Sequence, residues 1–251
     1  MTTWNFRFDR SGQAFHYRLH RRTGEELIVF FPGLRSTKST AVEYYNRLTW
    51  SDSFDASCLF VADPGLSLDP SVRGSYFQGS RSYYSVERVA ADIRTISAEF
   101  GFSPGRTVLY GSSQGGFAAL AVGSYLTAST VVAEAPQTDV RRSQMIDDTS
   151  RAAHFCYGVP TINDVPQAYD YRLKLHTLFA KRGYIPKGRI LVKETDRWHI
   201  DEHIVPFKEL DIDNRLSVRI FTGEDGKGGH SALRREVIVD IINSQLYEPS
   251  R

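Results

Sequence analysis

One stretch of the chain, residues 106–119, constrains the fold more than any other. It reads RTVLYGSSQGGFAA, an apolar strand-like run that passes through GSSQG into a helix of small residues. A serine in this G-x-S-x-G spacing, between a strand and a helix, sits on a turn too tight for bulky neighbours. Such a turn would hold the Ser113 hydroxyl at the helix N-terminus, where the helix dipole and free N–H groups stabilise an oxyanion. We therefore predict that Ser113 is a nucleophile. The alternative is a glycine-rich helix start in which Ser112 or Ser113 is only an N-cap.

The rest of the chain alternates strand-like with helix-like segments. Strands are expected at 15–20, 27–31, 57–62, 106–110, 129–133, 189–192 and 218–221, and helices at 40–48, 86–100, 114–126 and 237–246. This alternation indicates a single α/β domain, residues 1–251, with a mostly parallel central sheet flanked by helices. Ligands of such sheets bind beyond the carboxyl ends of the strands, so the chemistry is expected in the loops there.

Residues 136–187 interrupt the alternation, because a short crossover would suffice between the strands on either side. The segment is polar, contains tyrosines, and has an excess of basic residues that includes Arg141, Arg142 and Arg172. We interpret it as a helical cap insertion that shapes the acceptor side of the site, since tyrosines stack on sugar rings and arginines bind phosphate or carboxylate. A solvated helical excursion with no role in binding is the alternative.

Composition excludes several classes of partner. Apolar residues make up 41% of the chain, charged residues 24%, and the formal net charge is +2. The sequence has no basic stripe with interleaved aromatics, so no nucleic-acid partner is expected. No apolar run is long enough to span a bilayer, and the first residues do not resemble a secretory signal, so no membrane partner is expected either. Two well-separated cysteines, Cys58 and Cys156, favour a reducing compartment, and we expect a cytoplasmic location.

An acyl-transfer site also needs a second oxyanion donor and a base. The strand at 27–31 runs into Pro32-Gly33-Leu34, and we expect the backbone N–H of Leu34 to join that of Gln114 as the oxyanion pair. A purely structural Pro-Gly turn is the alternative. The base is expected in the loop after the last strand, where residues 223–233 read GEDGKGGHSAL. His230, just before the closing helix, is the candidate.

The acid that would orient this base is expected after the strand at 189–192. A carboxylate there would accept the His230 N–H, fix the tautomer of the ring and stabilise the imidazolium. Asp196 comes a few residues past the strand and is the favoured candidate. Asp201 is the rival, and Glu194 is a further alternative.

The same stretch also contains a metal-binding pattern. Residues 199–203 read HIDEH, which matches the H-x-x-E-H of inverted zinc peptidases. That chemistry needs both histidines on a sustained helix with further ligands downstream, whereas Pro206 follows shortly after His203. The strand–turn–helix unit around Ser113, called a nucleophile elbow, needs no metal for its chemistry. We therefore predict a metal-free site in which His199 and His203 line the pocket or brace the acid loop.

Three stretches, YGSSQGGFAAL, VVAEAPQTDV and TDRWHIDEHIVPF, resemble the α/β-hydrolase superfamily. Within it the chain is similar to the branch found with bacterial surface-glycan and capsule assembly, some members of which are O-acetyltransferases. The resemblance implies an α/β-hydrolase fold, a triad of Ser113, Asp196 and His230, and a sugar-bearing partner. One departure is the sequence FPG at 31–33, where His-Gly is more usual at the oxyanion turn.

Together these features predict a serine-dependent acyl-transfer enzyme. The favoured form is a carboxylic-ester hydrolase, a serine esterase that works through an acyl-enzyme on Ser113 and uses no cofactor. An O-acyltransferase (O-acetyltransferase) acting on a sugar or glycan hydroxyl is the alternative, and acyl-CoA would then be the acyl donor. A further alternative is an inactive accessory or binding protein on the same scaffold. The expected substrate is a small-molecule ester or a glycan, and the sequence indicates no oligomeric state.

Overall fold

The computed structural model describes residues 1–10, 12–208, 215–222 and 229–247. Within them eight strands form one sheet in the order β1-β2-β4-β3-β5-β6-β7-β8. These strands are β1 (Thr2–Arg10), β2 (Gln13–Arg21), β3 (Leu27–Phe31), β4 (Ser57–Val61), β5 (Thr107–Ser112), β6 (Thr130–Glu134), β7 (Lys187–Lys193) and β8 (Leu216–Phe221). β2 is antiparallel to both β1 and β4, and every other neighbouring pair is parallel. The predicted mostly parallel sheet is confirmed.

Both faces of the sheet are covered, which explains why the central strands are almost entirely apolar. The main helices are α1 (Ser85–Phe100), α2 (Gln114–Gly123), α3 (Ile146–Tyr157), α4 (Asp170–Leu173), α5 (Leu175–Arg182), α6 (Arg197–His199), α7 (Val205–Lys208) and α8 (Arg235–Tyr247). Alternate residues of β3 face opposite sides: Val29 packs in a core with α1, α2 and α5, whereas Ile28 packs in a core with α8. This is the predicted arrangement of a central sheet flanked by helices.

The segment between β6 and β7 is helical. It contains α3, α4, α5 and several short 3₁₀ turns. It packs into the α1–α2 core through buried side chains such as Tyr157, Leu173 and Leu178. The 136–187 insertion is therefore firmly attached to the body of the domain, and its role as a cap over the site stays a prediction.

Two expectations about the N-terminal third are wrong or incomplete. The predicted helix at 40–48 is wrong: residues 40–47 form bends and irregular backbone, and Leu48 begins a 3₁₀ turn. At the end of this stretch Arg47 has a left-handed backbone (φ 63°), and its guanidinium pairs with Glu134 at 2.9 Å. The strand β1 was not predicted, because it is an edge strand whose residues are mostly exposed. No helix in the described parts of the chain has the length and apolar character needed to cross a membrane.

Candidate active site

Ser113 occupies a strained turn between β5 and α2. Its backbone angles are φ 57° and ψ −123°, which a residue with a side chain rarely adopts. Such a conformation persists only where the surroundings over-determine it. Here the Ser113 N–H donates to the Glu134 carbonyl at 2.8 Å, and the Ser113 carbonyl accepts from Gly116 N–H at 2.9 Å. The predicted strand–turn–helix unit is present, with the serine at its apex.

The glycines on either side of Ser113 are required by close backbone approach. A Cβ on Gly111 would collide with the carbonyl oxygen of Gly115, and a Cβ on Gly115 would collide with that of Phe31. The second contact shows that the end of β3 lies directly against the start of α2. Neither position tolerates a larger residue without a backbone shift.

This approach brings the two predicted oxyanion donors to the same region. Gly33 lies within contact distance of the Ser112 carbonyl, since a Cβ there would be 3.4 Å from that oxygen. Among the described residues, neither the Leu34 N–H nor the Gln114 N–H donates a hydrogen bond. The first N–H groups of a helix have no intrahelical partner, which leaves that of Gln114 available to a ligand. The assignment of Leu34 and Gln114 as an oxyanion pair stays a prediction.

Asp63, which sequence reasoning missed, holds the side chain of Gln114. This buried carboxylate follows β4 and accepts hydrogen bonds from Gln114 Nε2 at 3.0 Å, Ser75 N–H at 2.6 Å and Gly65 N–H at 2.9 Å. Burial raises the pKa of Asp63, and the hydrogen bonds from Ser75 and Gly65 oppose that rise. Asp63 thereby ties the first residue of α2 to the loop after β4.

Asp196 and His230, predicted as acid and base, meet as expected. His230 Nδ1 lies 2.9 Å from Asp196 Oδ2, and the His230 side chain is 41% exposed while that of Asp196 is 6% exposed. The hydrogen bond orients the ring so that its Nε2 is free to act as a base. The rival acid, Asp201, is exposed and bonds to neither His199 nor His230 within the described residues.

Asp196 also accepts a hydrogen bond from a second histidine. His199 Nδ1 lies 2.9 Å from Asp196 Oδ1, and the His199 and His230 rings stack at 4.1 Å between centroids. Burial raises the pKa of Asp196, but hydrogen bonds and charge interactions with the two histidines outweigh it and hold that pKa well below its usual value. Burial lowers the pKa of His199. Of the two roles expected for His199, lining the pocket or bracing the acid loop, this contact fits the second.

Gln137, another residue missed in the sequence, connects His199 to the nucleophile. Its Nε2 lies 3.0 Å from Ser113 Oγ and 2.9 Å from His199 Nε2. Within the described residues the Ser113 hydroxyl bonds to Gln137 and not to His230. Catalytic hydrogen bonds often form or tighten only when substrate binds, so the lack of a Ser113–His230 hydrogen bond does not count against His230 as the base.

Glu134 links the nucleophile to the loop that carries His230. Its backbone carbonyl holds Ser113, as described above, and its carboxylate accepts the backbone N–H of Leu233 at 2.5 Å, three residues beyond His230. The carboxylate also accepts from Arg47 and from the Tyr110 hydroxyl, at 2.9 and 2.8 Å. The end of β6 therefore positions both parts of the site. Its signal in the sequence, a charged residue that ends an apolar strand, is too common to have been recognised.

One group in the site has the composition of a metal site. Asp196, His199 and His230 each offer a ligand atom, and these atoms lie within 4.8 Å of one another. The expectation that His199 and His203 do not share a sustained helix is wrong, since the π-helical turn Ile200–Ile204 joins α6 to α7. The group still differs from the H-x-x-E-H pattern, because His203 Nδ1 accepts from the Thr138 N–H and Glu202 pairs with Arg142. The nitrogens that face Asp196 already bond to its carboxylate. The expectation of a metal-free site stays a prediction.

The arginines of the 136–187 segment are engaged within the protein. Arg172 is buried and donates to the backbone carbonyls of Ser80 and Tyr83. Arg141 pairs with Asp170 at 2.7 Å, and Arg142 with Glu202 at 3.2 Å. Arg172 in particular is a packing residue, which removes it from the set expected to bind an acceptor.

No family model matches the chain, and no curated protein is significantly similar to it. Solved structures do match. The capsule O-acetyltransferase of Neisseria meningitidis serogroup A superposes with a TM-score of 0.65 at 21% identity, covering 94% of both chains. An S-formylglutathione hydrolase from Staphylococcus aureus has a TM-score of 0.67 at 13% identity and covers 98% of both chains. One from Agrobacterium tumefaciens has a TM-score of 0.65 at 13% identity, covering 97% of this chain and 92% of its own. The superpositions and the strand order agree with the sequence expectation: the chain has the α/β-hydrolase fold.

Proposed function

We propose that the protein is a serine-dependent acyl-transfer enzyme that cleaves carboxylic esters through an acyl-enzyme on Ser113. The observation that supports this most is the Asp196–His230 hydrogen bond of 2.9 Å in a chain whose Ser113 sits on a strained elbow. A buried carboxylate, a half-exposed imidazole bonded to it, and a serine on a tight strand–helix turn are the parts that acyl transfer needs. An inactive accessory protein would have no need to retain all three.

The first half-reaction follows from the proton positions. His230 donates its Nδ1 proton to Asp196 in a hydrogen bond, so its Nε2 takes the Ser113 proton while Oγ forms a bond to the acyl carbon. The N–H groups of Leu34 and Gln114 are proposed to stabilise the resulting oxyanion. The tetrahedral intermediate then collapses, the C–O bond of an ester or the C–S bond of acyl-CoA breaks, and the His230 imidazolium gives its proton to the leaving alcohol or thiol.

The second half-reaction decides between hydrolase and transferase. His230 removes a proton from water, or from an acceptor hydroxyl, whose oxygen attacks the acyl carbon. The acyl–Oγ bond then breaks, and the His230 imidazolium returns the proton to Ser113 Oγ. Hydrolysis is our first proposal. Transfer to a sugar or glycan hydroxyl, with acyl-CoA as donor, is the second, because the fold matches a capsule O-acetyltransferase over almost the full length of both chains.

The experiment is to form the acyl-enzyme with p-nitrophenyl acetate and to follow its breakdown in buffer alone and with added sugars or sugar phosphates. A hydrolase deacylates quickly in buffer, and no acceptor changes the rate. A transferase deacylates slowly until one acceptor accelerates it and an acetylated sugar appears by mass spectrometry. Failure to form any covalent acyl-enzyme in folded protein would contradict both.

A further inference from the structure

Gln137 lies between the nucleophile and the second histidine, in a part of the site that the triad does not use. Its side chain is buried, with 5% of the residue exposed, and His199 is 2% exposed. Its amide nitrogen is within hydrogen-bond distance of both Ser113 Oγ and His199 Nε2, at 3.0 and 2.9 Å. The amide oxygen accepts a longer hydrogen bond from the Ser113 hydroxyl, at 3.3 Å. One buried amide group therefore contacts the reacting atom of the proposed enzyme.

The hydrogen-bond donors and acceptors along this chain can be assigned from Asp196 outward. Asp196 is an ionised carboxylate and can only accept, so His199 Nδ1 must carry the proton that it donates to Oδ1. A neutral histidine protonated at Nδ1 has an acceptor at Nε2, which the Gln137 amide must then fill with one of its two hydrogens. The second amide hydrogen is left for Ser113 Oγ. The Ser113 hydroxyl itself donates to the Gln137 amide oxygen at 3.3 Å, and its hydrogen must turn from that oxygen to His230 for the reaction.

We propose that Gln137 is a catalytic residue that donates an N–H to Ser113 Oγ, and that His199 is a positioning residue that fixes this amide in the donating orientation. The proposal rests on the proposed function, since it assigns a role around the same nucleophile. When His230 removes the Oγ proton and Oγ bonds to the acyl carbon, the amide N–H stabilises the charge that develops on Oγ. When the acyl–Oγ bond breaks in deacylation, the same N–H stabilises the departing oxygen until His230 returns its proton. The amide keeps both its hydrogens throughout.

Asp196 then bonds to two histidines, each of which begins a separate branch of the site. One runs through His230 and moves the proton. The other runs through His199 and Gln137 and holds a donor against Oγ. The stacked rings of the two histidines, 17° from parallel, place both branches side by side. A second histidine on the triad acid is explained by this role, whereas a base alone needs only His230.

The test is a double-mutant cycle on the full chain, with Gln137→Met, His199→Phe and the double variant. Methionine keeps the length of the side chain and removes the donor, and phenylalanine keeps the stacking on His230. We measure single-turnover acylation by p-nitrophenyl acetate and the deacylation that follows. Gln137→Met should slow both steps by about 10- to 100-fold, as loss of one buried donor to a reacting oxygen does. His199→Phe should slow them by a similar or smaller factor.

The decisive readout is whether the two effects combine. If His199 acts through Gln137, the double variant is no slower than Gln137→Met alone, since coupled residues are non-additive. If the rate reductions of the two single variants multiply in the double variant, His199 acts on Asp196 or on the fold instead, and its assigned role is overturned. Unchanged rates in Gln137→Met, checked with Gln137→Ala if the methionine variant unfolds, would overturn the catalytic role of Gln137.

A matched control and a separate readout keep this test distinct from that of the proposed function. His16→Phe removes another buried histidine, on β2 and paired with Glu43, and should leave both rates unchanged. Labelling of Ser113 by a fluorophosphonate in the parent protein tests the proposed function alone. If Ser113 labels and Gln137→Met labels equally fast, only the present inference fails. If Ser113 does not label at all, the proposed function fails with it.

Discussion

Replacing Asp196 with asparagine removes the charge that stabilises the His230 imidazolium during the reaction. Asp196 Oδ2 lies 2.9 Å from His230 Nδ1, so the carboxylate charge and the imidazolium charge that forms during the reaction are about 4 Å apart. At an effective dielectric constant of about 20 their attraction is about 4 kcal/mol. That dielectric value suits a pair of which one member, His230, is 41% exposed. At about 1.4 kcal/mol per factor of ten, the loss corresponds to a decrease of about 10³-fold in kcat/KM.

The hydrogen bonds of Asp196 add to this effect. Asparagine has one carbonyl oxygen and one NH₂ group, whereas Asp196 accepts from both His199 and His230. One of the two rings must lose its acceptor, and a His230 in the wrong tautomer cannot act as the base. The assay is kcat/KM for p-nitrophenyl acetate, with thermal unfolding to confirm that the variant folds.

The matched control is Asp201→Asn, which changes an exposed carboxylate in the same helical segment. We expect it to lower kcat/KM by less than about tenfold, as for a surface substitution away from the hydrogen bonds of the site. The reasoning is refuted if Asp201→Asn is the variant with the large decrease in kcat/KM, or if Asp196→Asn stays folded and retains activity near that of the parent. Loss of activity on treatment with chelators would instead support a metal held by the Asp196 group.

Three further predictions concern stability. Burial lowers the pKa of His203 to about 3, so the folded protein loses stability as the pH drops from about 6.5 towards that value. Between about pH 6.5 and 4.5 the free energy of unfolding should fall by about 2–3 kcal/mol more in the parent than in His203→Asn. An equal fall in both proteins would contradict this. Gly111→Ala should lower the free energy of unfolding by about 1–3 kcal/mol in urea titrations. Gly105→Ala, where a Cβ would meet open space, should leave it unchanged. Equal effects of the two substitutions would argue against a tight turn at Ser113. Glu134→Ala should lower the free energy of unfolding by about 3–5 kcal/mol, because it leaves Arg47, which is 18% exposed, without its partner. A decrease of under about 1 kcal/mol would refute the role of Glu134 in holding the two parts of the site together.

Sequence reasoning found the parts of the site that have a fixed relation to strand ends. Ser113 is marked by glycines that a tight turn requires, and Asp196 and His230 follow the last two strands of the predicted sheet. The structure joins Asp196 to His230 by a hydrogen bond, and it excludes Asp201 from that contact. Strands buried on both faces were also recognisable, because parallel strands in the middle of a sheet are apolar at every position.

What sequence reasoning missed depends on contacts between residues far apart in the chain. Gln137 reaches Ser113 only because β6 pairs with β5, and Asp63 reaches Gln114 only because two loops meet beyond the strand ends. Arg47 lies in a segment predicted as a helix, but it has a left-handed backbone and its guanidinium pairs with Glu134. An amide or a carboxylate after a strand is common, so none of these residues has a local pattern that identifies it.

The central claim, that Ser113 is the nucleophile, is tested most directly by covalent labelling. Folded parent protein is treated with a fluorophosphonate probe, digested, and the modified peptide is located by mass spectrometry. The account predicts a single modification on Ser113, its loss in Ser113→Ala, and its retention in Ser112→Ala, which changes the neighbouring hydroxyl on the same turn. Labelling on Ser112, labelling that survives Ser113→Ala, or no labelling of the folded protein would contradict it.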